Sequence, residues 1–274
     1  VKKQFEKGQL KVNGSLVLYI LGLFAVALAI AFPSLAWLSP LTFVLIFPLG
    51  AIWLWKSEGR SLGDLGYRFC GGWIRYLAIG LFFGLAIPVL FYVIQVLGGW
   101  ITLAPRGGPI KDFMLYLPRL FLQMIFVVAI EEFVFRGFFF QSLRQRAGVR
   151  SAAVLSSLLW GTGHLTSMVS EGLTPGLIII GMTTFLLWGI TLCLSYLRAG
   201  QSLWLPYGLH LGINLSFSLV GWFFITQPNA PQWWIGHPTW SPESGLIGIV
   251  TWLILALVVY WFTGNDRINR FTAS

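Results

Sequence analysis

Residues 113–141 read FMLYLPRLFLQMIFVVAIEEFVFRGFFFQ, and this stretch decides the fold. It is apolar on every side of a helical wheel rather than along one stripe, the pattern of a helix surrounded by lipid or by other apolar helices. It is longer than the roughly 20 residues needed to cross about 30 Å of hydrocarbon. Toward its C-terminal end it carries Glu131, Glu132 and Arg136. Each such group is costly in hydrocarbon, so three together in a greasy helix mark a place with polar partners or a wet cavity.

The rest of the chain has the same character. Of its 274 residues 57% are hydrophobic and only 10% charged, where a soluble domain carries about 25% charged residues. Most of the surface therefore cannot face water. A backbone in lipid must satisfy its own hydrogen bonds, and the alternating ten-residue segments of a β-barrel are not seen. The expected fold is an all-α, polytopic membrane helix bundle with about eight transmembrane helices. They fall near 15–35, 37–55, 73–97, 113–141, 152–168, 176–197, 203–225 and 245–263. The first follows a basic leader and ends near Ser34, Leu35 and Ala36, but its apolar run is long for a cleaved signal peptide.

The cations fix an orientation. Lys2, Lys3, Lys7, Lys11, Lys56, Arg60, Arg68, Arg75, Arg144, Arg146, Arg150, Arg198, Arg267 and Arg270 all fall on one side if the spans alternate. The other side receives Arg106 and Lys111, with Arg119 at the edge of the fourth span. By the positive-inside rule both termini are cytoplasmic, in a multi-pass protein of the cell membrane. The net charge of +9 is thus a topology signal. With no basic helix or aromatic–basic platform, no nucleic-acid partner is expected. The partners implied are the lipid bilayer and a peptide or protein substrate.

Organisation follows the spans. Residues 1–112 hold three N-terminal membrane helices behind the basic leader, 113–225 a core, and 226–274 an outer loop and the last helix. The outer loop, 226–244, is rich in Pro and Trp without Lys or Arg and reads as interfacial, with His237 a surface residue in it. Cys70 and Cys193 have no metal or disulfide spacing and read as buried thiols. Gly80 and Gly84 form a GxxxG in the third span, a weak packing signal that does not by itself imply a dimer.

The chemistry is confined to few residues. Glu131, Glu132 and Arg136 in the fourth span, His164 in the fifth and His210 in the seventh are the ionisable groups at membrane depth. Glu131, His164 and His210 each lie about 18–20 Å from a cytoplasmic cation at 1.5 Å per residue, so three helices bring polar groups to one level. Glu132 and Arg136 are four apart and pair on one face, which leaves Glu131 for another partner. His210 and Asn214 are also four apart and project together. Pro206, one turn earlier, is expected to loosen the helix and free a carbonyl, and Gly161 and Gly163 to allow close approach to His164. One Glu–Arg pair can be a mere staple and one His a satisfied core residue; the ensemble is harder to explain that way.

At these residues the chain resembles a known family. Glu131-Glu132-Phe133-Val134-Phe135-Arg136 has an EExxxR pattern, Trp160-Gly161-Thr162-Gly163-His164 is similar to FxxxH, and His210-Leu211-Gly212-Ile213-Asn214 has HxxxN. These are the signatures of the CPBP intramembrane proteases, which include type II CAAX prenyl endopeptidases and bacteriocin-immunity proteins. Trp160 departs from the usual Phe, and the first three spans lie outside the resemblance. The resemblance implies a helical bundle whose membrane cavity opens to the cytoplasmic side. It also implies Glu131 as catalytic glutamate, His164 as a partner in activating water, and His210 with Asn214 as oxyanion donors. Glu132 and Arg136 would support them. A positioned carboxylate can act as general base, and donors aimed at a developing oxyanion are worth several kcal/mol in a dry site.

Other designs fit less well. There is no HExxH, no Asp pair within a span, since Asp64, Asp112 and Asp266 fall in loops, and no Gly-x-Ser-x-Gly. Glu131, His164 and His210 could together hold a catalytic zinc. Glu131 would then be used as a ligand and a separate base would be needed, so a metal-independent reaction with no cofactor is expected. Two alternatives to an intramembrane endopeptidase stand beside it. One is a non-catalytic member acting as scaffold or immunity protein; the other is a proton-coupled transporter, against which there is no inverted repeat.

Overall fold

The computed structural model describes residues 19–22, 45–69, 71–104, 108–236 and 245–263. The first span and the leader cations lie almost wholly outside the described residues, as do Cys70, Arg106, His237, Asp266, Arg267 and Arg270. The described chain is an all-α membrane bundle. Its helices are α1 (Phe47–Ser57), α2 (Trp73–Leu97), α3 (Ile110–Glu132), α4 (Gln141–Thr162), α5 (Leu165–Ser170), α6 (Pro175–Arg198), α7 (Trp204–Gly221), α8 (Gln232–Ile235) and α9 (Leu246–Thr263). The helices α2 and α6 and the helical run Ile110–Ser170 are long and apolar enough to cross a membrane, and α9 contributes a shorter apolar stretch.

The fourth span is not one uniform helix. Its α-helical part ends at Glu132, and Phe133–Phe140 continue as a π-helix before α4 begins. A π-helical segment widens the coil and re-aims its side chains, and such segments cluster at functional sites. It directly follows the two glutamates. Within α4, Gly148 has φ 77° and ψ 168°, a backbone conformation that L side chains rarely adopt, and the helix is broken there. The chain reverses at that point. Ser156 Oγ donates to the Phe135 carbonyl at 2.8 Å and Trp160 Nε1 to Glu131 at 2.9 Å, an antiparallel register across the hairpin.

The fifth span also ends sooner than its sequence suggests. α4 stops at Thr162, and Gly163 and His164 form a tight turn in which their N–H groups bond the Trp160 and Gly161 carbonyls. His164 therefore caps α5 instead of projecting from mid-helix. The seventh span is shorter too: α7 ends at Gly221, and Phe224–Thr226 pair antiparallel with Ile101–Leu103 in a two-stranded ribbon.

α7 carries Pro206, His210, Asn214 and two serines among its apolar residues, and most of its length is buried. Its backbone lies directly on α2. A Cβ added at Gly80 would stand 2.5 Å from the Leu205 carbonyl, and one at Gly84 2.4 Å from the Leu209 carbonyl. A Cβ added at the facing Gly208 or Gly212 would stand 2.5 Å from the Leu77 carbonyl or 2.9 Å from the Leu81 carbonyl. The GxxxG of the third span thus finds a second GxxxG of the same chain. Residues two apart on a helix point to nearly opposite sides, so this seating turns His210 away from α2.

Cations from separate loops meet at one end of the bundle. Glu58 after α1 pairs with Arg60 at 3.0 Å and with Arg146 at 2.6 Å, and Arg144 donates to Gln201 beyond α6 at 2.9 Å. The loops that the charge pattern assigned to one side are therefore neighbours in space.

Candidate active site

Glu131 and Glu132 close α3, and α7 presents His210 between them. His210 Nδ1 lies 2.7 Å from Glu132 Oε1, while its Nε2 faces Glu131 Oε2 at 3.6 Å. Glu132 Oε1 is also 2.9 Å from Arg136 Nη1, one helical turn on. Glu132, Arg136 and His210 are all buried. A carboxylate without a proton can only accept, so Nδ1 of His210 carries a proton and donates to Glu132. That leaves Nε2 as the ring atom that faces Glu131.

The partner of Glu131 is one that sequence reasoning missed. Trp160 Nε1 donates to Glu131 Oε2 at 2.9 Å. The same indole lies under the guanidinium of Arg136, with Cζ 4.7 Å from the ring centroid, and meets the rings of His164 and His210 edge-on. The contact joins the end of α3 to α4, so residue spacing within one helix carries no signal for it.

His164 is held from behind. Its Nδ1 lies 3.3 Å from the Trp160 carbonyl, and its ring stacks on Phe185 at 4.2 Å between centroids. It is within electrostatic range of Glu131, His210 and Arg136, with no direct bond to any of them among the described residues. Gly161 is close to Phe185 and Met182 of α6, so its missing side chain admits that helix. Phe185 and Trp188 on α6, backed by Trp252 on α9, complete an aromatic wall against Trp160 and His210.

Asn214 is half-buried on α7, one turn past His210, and its side chain makes no hydrogen bond among the described residues. Pro206 lies in the first turn of α7, where its absent N–H would have had no partner within the helix, so it frees no carbonyl beside the site. Cys193 is buried next to Arg136 and Ser157. Arg136 Nε and Nη2 and Glu132 Oε2 have no partner among the described residues, so the buried pair is held by a single direct contact.

A three-ligand metal site made of Glu131, His164 and His210 is not assembled in this geometry. Among the described residues no three His, Cys, Asp or Glu groups are placed to hold an ion. Glu131 Oε2 accepts from the Trp160 indole, and His164 turns its Nδ1 to the Trp160 carbonyl.

Comparison with known proteins adds a family. Residues 113–216 match the family described as Type II CAAX prenyl endopeptidase Rce1-like. The match contains the EExxxR, Trp160–His164 and HxxxN segments and agrees with the resemblance that they carry. No curated protein matches the chain, and no solved structure does.

Proposed function

We propose that this chain is an intramembrane endopeptidase that hydrolyses peptide bonds of membrane-associated or prenylated, CAAX-type peptides and proteins. The observation that carries the reading is the grip on His210: Glu132 holds Nδ1, and Nε2 is aimed at the neighbouring glutamate. A structural staple would need only the Glu132–Arg136 pair. Glu131, partly accessible at 12% side-chain exposure, has no structural task in that staple.

In the proposed reaction a water held between Glu131 and His164 attacks the scissile carbonyl. Glu131 takes its proton as the new C–O bond forms, and the carbonyl π electrons move to oxygen. The oxyanion is received by Asn214 and by Nε2 of His210 when that nitrogen also carries a proton. In this form the charges of Glu131, Glu132, Arg136 and His210 sum to zero, which suits a site shielded from water. Collapse of the tetrahedral intermediate breaks the C–N bond, and the proton on Glu131 passes to the departing amine. The protein would be multi-pass in the cell membrane, with both termini cytoplasmic and the site nearer that face.

The test is cleavage of a fluorogenic farnesylated CAAX peptide, with an unprenylated control, by detergent-purified protein. The wild-type chain should cleave, and Glu131→Ala should not, at unchanged folded yield. Full activity in Glu131→Ala would refute the assignment. A chain that binds the peptide without cleaving it would favour the scaffold alternative.

A further inference from the structure

Trp160 stands where the resembling family has phenylalanine, and the structure gives its extra atom a use. Phenylalanine can fill an aromatic wall but has no N–H. Here the indole N–H meets Glu131 Oε2 at 2.9 Å, on a side chain with 2% exposure. We propose that Trp160 is a positioning residue for the general base: it pins one oxygen of Glu131 and leaves the other to take the proton from water. This rests on the endopeptidase reading above.

Three features support it. The pinned oxygen is the one that faces His210 Nε2 at 3.6 Å, so the indole sets the spacing between base and oxyanion donor. Oε1 of Glu131 has no hydrogen-bond partner among the described residues. The same residue also positions His164 through its carbonyl, so one side chain and its own backbone aim both groups that would hold the water. The ring is itself fixed by Arg136 on one side and by Phe185 and Trp188 on the others. A freely rotating carboxylate would sample orientations in which neither oxygen points at the water, and productive geometry tolerates only small deviations.

Trp160→Phe removes the donor and keeps most of the packing. It should lower kcat roughly tenfold, the scale of one hydrogen bond to a charged group, with KM within about twofold. A kcat within twofold of wild type in a folded Trp160→Phe protein would overturn the proposal, because packing alone would then account for the residue.

A second measurement stands independently of turnover and of that variant's folding. In protein labelled with ¹⁵N-tryptophan, one of the fourteen indole N–H resonances should move strongly in Glu131→Gln. The moving signal should be the one absent from Trp160→Phe where that variant folds. Indole signals that all stay in place in Glu131→Gln would show that no such bond forms and would sink the proposal. If the wild-type chain cleaves nothing, the endopeptidase reading falls, and the indole resonance still decides whether Trp160 holds Glu131.

Discussion

Glu132 and His210 lie 78 residues apart in the chain and meet at 2.7 Å in a buried contact. The contact joins the end of α3 to the middle of α7, and Arg136 shares the same carboxylate oxygen. One glutamate therefore serves two tasks: it neutralises a buried guanidinium and fixes the orientation of an imidazole.

The two tasks separate by mutation. Glu132→Ala or Arg136→Ala strands a charge in low dielectric, and a loss of about 3–5 kcal/mol is expected, seen as reduced monodisperse yield in detergent. The double variant Glu132→Leu/Arg136→Met removes both charges and should recover much of that yield. It should remain poorly active, because His210 Nδ1 has lost its acceptor. A double variant with wild-type turnover would show that the orientation of His210 does not matter.

The seat of α7 can be tested at its glycines. Valine at Gly84 or Gly208 would place a Cβ within 2.5 Å of a backbone carbonyl, where only backbone movement can relieve it. A loss of about 1–3 kcal/mol or more is expected, visible as a lower unfolding midpoint. Gly176 lies near the start of α6 with open space around it, so Gly176→Ala serves as control and should leave the midpoint unchanged. Equal midpoints for Gly84→Val and the control would contradict the close packing of α2 on α7.

The helices were largely legible because lipid imposes a length and a composition that any reader of the chain can see. The third span, 73–97, coincides with α2, and the sixth and eighth differ from α6 and α9 by a residue or so at each end. What escaped was local geometry without a compositional signal. Phe133–Phe140 look like any apolar helix, so nothing announced the π-helical turns. His164 falls in a turn because Gly163 weakens the helix just before it, and the apolar run continues past that break. The Glu132–Arg136 pair was readable from a spacing of four. The Trp160–Glu131 bond joins two helices, and spacing within one helix could not reveal it.

The Asn214 side chain makes no hydrogen bond among the described residues, which is compatible with the oxyanion role proposed for it. Asn214→Ala should leave yield and peptide affinity intact and lower kcat by about 10²–10³-fold, the usual scale for one lost oxyanion donor. Asn214→Asp should be no better, since an ionised carboxylate has no donor to offer. Full cleavage by Asn214→Ala would remove this residue from the mechanism.

Topology gives a prediction that needs no substrate. Asn229 is exposed beyond the two-stranded ribbon, and Arg150 is exposed just past the Gly148 reversal. Single cysteines at these positions, in a chain with Cys70 and Cys193 replaced by serine and alanine, should react with impermeant maleimide from opposite sides of the membrane. Arg150→Cys should be the cytoplasmic one. Labelling of both from one side would overturn the proposed orientation and the depth argument for the site.

Metal dependence separates two mechanisms that these residues could run. Each histidine turns its Nδ1 to an oxygen, Glu132 for His210 and the Trp160 carbonyl for His164. His210 Nε2 then faces Glu131 Oε2 at 3.6 Å, and metal-ligating histidines are often oriented by just such Nδ1 contacts. The arrangement of the third group argues the other way. Zinc would need Glu131 as a ligand, yet its Oε2 is held by the Trp160 indole, and the three groups do not surround one point. A liganded Glu131 would also require another base, and the adjacent carboxylate, Glu132, is already shared by Arg136 and His210. Metal analysis of active, detergent-purified protein should therefore find well under one zinc per chain, and cleavage should survive exhaustive chelation. Stoichiometric zinc that disappears together with His164 in His164→Ala would reverse the choice and make Glu131 a ligand. In that case Trp160→Phe should weaken zinc retention as well as turnover, because the indole would be orienting a metal-bound carboxylate.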